Sequence, residues 1–69
     1  MATAEHVTRE INLIARQFEC RGADRAALAT ADHVRSFWAP LLKSTLVAEA
    51  RSHAERFSPI AQNAIGLLE

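Results

Sequence analysis

The sequence predicts an all-α fold, a small compact bundle of three to four short helices. Alanine is abundant and β-branched residues are few, which is a helical composition. Gly22 and the two prolines, Pro40 and Pro59, fall where helices are expected to stop and start. No stretch alternates polar and apolar residues as a strand does.

The first helix is predicted from about Ala4 to Cys20. Thr3 is its candidate N-cap, and Glu5 complements the positive N-terminal dipole. Val7, Ile11, Ile14 and Phe18 recur at helical spacing and form one face. Gly22 suits a C-terminal cap. The second helix is predicted to begin after Asp24, a good N-cap, and to end near Trp38. Ala27, Ala31, Val34 and Trp38 form its stripe, with Asp32 and Arg35 spaced to pair on the surface. Pro40 disfavours helical geometry at Ala39 and suits the first turn of a third helix, predicted to run to about Arg56. Leu42, Leu46, Ala50, His53 and Phe57 mark that helix's apolar side. His53 is read as a half-buried imidazole bonded to a carbonyl or a carboxylate. Ser58 and Pro59 repeat the start signal for a last helix, to about Leu68. It is apolar nearly all round and therefore must pack against something. The predicted core is Ile11, Ile14, Phe18, Val34, Trp38, Leu42, Leu46 and Phe57.

The 69 residues are read as one domain, residues 1–69. A chain this short buries only about 60% of its unfolded surface. Small domains without disulfides or metal often lean on a partner. The single cysteine excludes an intrachain disulfide. Nothing at Met1–Ala4 resembles a secretory signal, and no stretch approaches the ~18 apolar residues of a membrane span. The expectation is a cytoplasmic protein with no membrane partner. Eight basic and eight acidic residues give zero net charge, interspersed along the chain. Nucleic-acid binders carry a basic patch instead, so nucleic acid is not the expected partner.

Catalytic chemistry finds little to stand on. No two of His6, His33 and His53 have zinc-ligand spacing, with one another or with Cys20. Cys20 lies near a helix C-terminus, where the dipole disfavours a thiolate. There is no phosphate-binding glycine loop, paired-carboxylate motif or Ser/His/Asp arrangement. No catalytic, metal or cofactor residue is assigned, and the chain is not expected to be an enzyme.

More informative are large apolar residues that miss their stripes. Leu13 points away from the Val7/Ile11/Ile14/Phe18 face. Phe37 lies about 100° round the helix from Trp38. Leu41 faces away from Leu42 and Leu46. Burial between neighbouring helices and contact with another chain are both open for these residues. Aromatic and basic residues such as Arg35, Phe37, Trp38 and Lys43 are the types enriched at binding hot spots.

The densest signal is the run His33-Val34-Arg35-Ser36-Phe37-Trp38-Ala39-Pro40. It sits within a longer order: Ile14-Ala15 and Phe18, an alanine-rich segment opened by Asp24-Arg25, Lys43 with Leu46, and Ser58-Pro59 followed by Ala64 and Leu67. From about Val7 to Leu68 the chain resembles the small delta subunit of NAD-dependent, molybdenum- or tungsten-containing formate dehydrogenases. The His-x-Arg-x-Phe-Trp-x-Pro run is its most specific part.

The resemblance implies a non-catalytic accessory subunit in a cytoplasmic complex, bound to the large catalytic subunit and supporting its assembly or stability. The cofactors it implies, bis-molybdopterin guanine dinucleotide, iron–sulfur clusters, FMN and NAD, belong to the partner complex; none is expected on this chain. The motif positions carried over are His33, Arg35, Phe37, Trp38 and Pro40. Partner contacts are expected from Leu13, His33, Arg35, Phe37, Leu41 and Lys43, with Trp38 turned to the core. The chain departs from the family at Ser36 and Leu41, which stand where arginines are usual, and at Leu42 and Lys43, which replace a methionine and an arginine. The third helix thus starts more apolar. A different reading is a free-standing homodimeric regulator or adaptor that self-associates through the Leu13/Phe37/Leu41 side.

Overall fold

Four helices fold back on one another in a computed structural model that describes residues 3–69. Helix α1 spans Thr3–Phe18, α2 Ala23–Phe37, α3 Pro40–Ser52 and α4 Pro59–Leu68. Short 3₁₀ turns at Glu19–Arg21 and Ala54–Arg56 complete the order, and no strand occurs among the described residues. The Cα radius of gyration, 10.7 Å, matches the ~11 Å of a closed domain of this length.

The first predicted helix ends early. After Phe18 the chain tightens into the 3₁₀ turn and stops at Gly22, whose φ of +94° and ψ of 153° suit glycine alone. Gly22 donates its N–H to the Glu19 carbonyl at 3.2 Å, and its carbonyl accepts from the Ala26 N–H at 2.8 Å. It therefore closes one element and opens the next. Asp24 is not the N-cap of α2 but lies inside its first turn, where its charge still complements the dipole. Thr3 likewise begins α1 rather than preceding it.

Helix α2 stops where the proline demands. Trp38 and Ala39 are extended, because a helical Ala39 would clash with the Pro40 ring. Pro40 then opens α3, with the Ala39 carbonyl accepting from the Lys43 N–H at 3.1 Å.

The third predicted helix also ends early, at Ser52 rather than Arg56. The cause lies on α1. The Asn12 amide donates to the Arg56 carbonyl at 2.9 Å, and its oxygen accepts from the Ser58 N–H at 3.0 Å. This pins the connection against α1 and drives Phe57 into the core, 4% exposed. Phe57 is thus a core residue from a connection, not from the α3 stripe. His53 caps α3, its imidazole 3.8 Å from the Glu55 carboxylate. That separation is too long for the hydrogen bond expected of it.

Helix α4 begins as the sequence indicates: the Ser58 hydroxyl accepts from the Ala61 N–H at 3.2 Å, with Pro59 behind it. The main core joins Val7, Ile11, Ala15, Val34, Leu46, Phe57, Ala61 and Ile65. Ala27 and Ala31 of α2 meet Ala64 of α4 in a second cluster, where small side chains let the two helices approach closely. Burial of these two faces offsets the weak intrinsic stability of so short a helix. Thr30, fully buried, donates a hydroxyl hydrogen bond to the Ala26 carbonyl at 2.7 Å, so it leaves no orphaned donor.

Candidate partner-binding surface

The α2–α3 corner presents what the core cannot hold. Phe37 and Trp38 lie on either side of the line through Val34, both within about 60° of it. Either could be buried if the core continued. It does not: α2 ends here and the chain turns. Trp38 folds back, half-buried, onto the main cluster. Phe37 is left 76% exposed, and so is Leu41 just past the corner. Four Cα-to-Cα steps separate them, which limits their Cα atoms to about 14 Å. The Phe37 ring packs on His33 with centroids 4.9 Å apart and planes tilted by 45°, so the exposed aromatic is held rather than loose.

The other expected contact residues are distributed as follows. Leu13 stands on the outer side of α1, 46% exposed. Lys43 is half-buried on α3. Arg35 is exposed, but its guanidinium is engaged within the chain. It donates to the Leu67 carbonyl at 2.7 Å and to Asp32 at 3.2 Å. Arg35 therefore ties α2 to the negative end of the α4 dipole. The Asp32 pair adds little at an exposed site.

Of the expected core residues, Ile11, Ile14, Val34, Leu46 and Phe57 are buried, while Trp38 and Leu42 are half-buried against them. Phe18 departs from this set. It is half-buried at the end of α1, with the Arg21 guanidinium 4.8 Å above its ring.

Two features escape the sequence reading. Leu28 is exposed on the side of α2 opposite Phe37, since nine residues rotate the helix by half a turn. Its absence from the Ala27/Ala31/Val34 stripe could have flagged it. Asn12, the residue that fixes the α3–α4 connection, carries no such signal, because its partners lie more than forty positions away.

Among the described residues no three His, Cys, Asp or Glu side chains converge as metal ligands. No described helix is long and apolar enough to cross a membrane. Cys20 is exposed and free.

The fold and surface define a class: a small all-α domain, closed around its own core, that leaves large apolar side chains on display at one corner. Residues 4–65 match the family of the NADH-dependent formate dehydrogenase delta subunit FdsD, and the chain belongs to that family. No curated protein and no solved structure matches it.

Proposed function

We propose that this chain is a non-catalytic accessory subunit that docks on the large catalytic subunit of an NAD-dependent formate dehydrogenase in the cytoplasm. The observation that carries the reading is the pair Phe37 and Leu41, each 76% exposed at the corner formed by the family-specific run. Leaving two such side chains in water forfeits stabilisation that a partner surface recovers. His33 packs on Phe37, Lys43 adds a cation on another side of α3, and Leu13 adds a contact on α1.

Docking acts by mass action. Whatever binds only the folded large subunit stabilises it, and so favours the assembled enzyme. In this reading the bis-molybdopterin guanine dinucleotide, iron–sulfur clusters, FMN and NAD are carried by the partner chains, as the family resemblance implies.

Co-expression with an affinity-tagged large subunit tests the reading. Wild-type chain is expected to co-purify and the Phe37→Ala/Leu41→Ala double variant to be lost. Recovery of the chain only with copies of itself would instead establish the homodimeric alternative. Turnover of formate by the purified chain alone would overturn the accessory role.

A further inference from the structure

One side of α3 is built differently from the corner. Pro40, Lys43, Val47 and Arg51 fall within a sector of about 80° around the helix. With Ala48 beside them and Leu68 of α4 opposite, they line an open groove of about 540 Å³. The walls mix apolar Pro40, Val47, Ala48 and Leu68 with the Ser44 hydroxyl, and both charged residues are cations. Arg51 is already paired with Glu69 at 2.7 Å. Lys43 is half-buried, and among the described residues no acidic side chain reaches ion-pair distance of it. The one acid on α3, Glu49, sits about 120° round the helix from Lys43 and pairs with Arg56 at 3.5 Å.

We propose that this groove receives an aliphatic segment of the partner subunit that carries a carboxylate. The carboxylate meets the Lys43 ammonium, and the aliphatic side chain lies on Val47 and Leu68. Two physical terms support this occupant. A lysine stem laid along apolar surface holds its charge near the wall, where a counter-ion is worth more than in open water. The groove also carries a positive rim with no acid of its own beyond Glu69, so charge complementarity selects an acidic segment over a basic one. Pro40 adjoins Leu41, so one partner element can cover the corner and continue into the groove. The inference rests on the docking reading above, and it adds a second contact of different chemistry.

The test uses the complex reconstituted with the large subunit. Ala48→Arg fills the groove from an exposed position, and Lys43→Glu reverses its charge. Both are expected to weaken binding by about tenfold or more while the isolated chain melts as wild type. Lys43→Met is expected to flatten the salt dependence of binding. A photo-crosslinking amino acid placed at Ala48 is expected to capture a partner peptide containing Asp or Glu beside aliphatic residues. If Ala48→Arg and Lys43→Glu bind within about twofold of wild type while Phe37→Ala weakens the complex, the groove proposal falls and the docking reading stands. If wild-type chain binds no large subunit, both fall. A crosslink to a second copy of this chain, or to a segment without an acid, also overturns the proposal.

Discussion

Truncating Phe37 should separate docking from folding, because the ring contributes far more to a partner than to its own domain. Phe37 is 76% exposed. A phenylalanine buries about 150–250 Å² when fully enclosed, so roughly 110–190 Å² remains for a partner to cover. At about 25 cal/mol per Å² that is ~3–5 kcal/mol of gross gain. Little ordering cost opposes it, since the ring already packs on His33 at 4.9 Å. Incomplete enclosure and association reduce the net effect, and Phe37→Ala is expected to cost about 2 kcal/mol of binding, a ~30-fold rise in Kd. In the isolated chain the same truncation removes only the His33 contact and a minor burial. It should cost at most about 1 kcal/mol, a fall in Tm no larger than about 4–8 °C. Trp38→Ala is the control. Its indole packs on the main cluster, so its loss should cost about 2–4 kcal/mol, somewhat below the ~3–5 kcal/mol of a fully enclosed aromatic because the side chain is half-buried. Calorimetric titration against the large subunit reads the first effect, and circular-dichroism melting of the chain reads the second. A Tm lowered as much by Phe37→Ala as by Trp38→Ala, or a Kd indifferent to Phe37, would refute the reasoning.

The remaining predictions concern the scaffold that holds the corner in place. Leu46 is fully buried, and Leu46→Ala should cost about 2–5 kcal/mol out of a total of roughly 3–10 kcal/mol for a domain this size. Urea titration should show the midpoint lowered by roughly a half. A Cβ at Gly22 would meet nothing within 4 Å, yet φ is +94°, so Gly22→Ala should destabilise by about 1–3 kcal/mol through backbone strain alone; an unchanged Tm would mean that the turn relaxes freely. Asn12→Ala removes both bonds to the α3–α4 connection and should cost about 1–2 kcal/mol. Amide exchange at Ser58 should accelerate in that variant and stay slow in Asn12→Asp, which keeps the accepting oxygen.

Much of this architecture was legible because its signals are local. A serine followed by a proline starts α4, and an alanine before a proline ends α2, whatever the rest of the molecule does. Hydrophobic spacing likewise indicates the buried sides of α1 and α2. Gly22 punctuates as expected, although its backbone displaced Asp24 from the capping role. Less was legible where distant groups compete with local preference. His53 to Arg56 read as continuing helix, and the Asn12 side chain from α1 decided otherwise. Arg35 is an expected partner contact, and its hydrogen bond to the Leu67 carbonyl, 32 positions away at the end of α4, had no local signal.

By itself the sequence determined that the chain is helical, where most helices begin and end, and which family it resembles. Those properties follow from covalent geometry and from short-range periodicity, which act within a turn or two. Only the tertiary structure decided how completely Trp38 would be covered. Periodicity placed Trp38 on the Ala27/Ala31/Val34 stripe and Phe37 off it, and Trp38 is only half-buried because the core runs out at the end of α2. How far a core extends depends on how many elements meet there, and no local pattern records that.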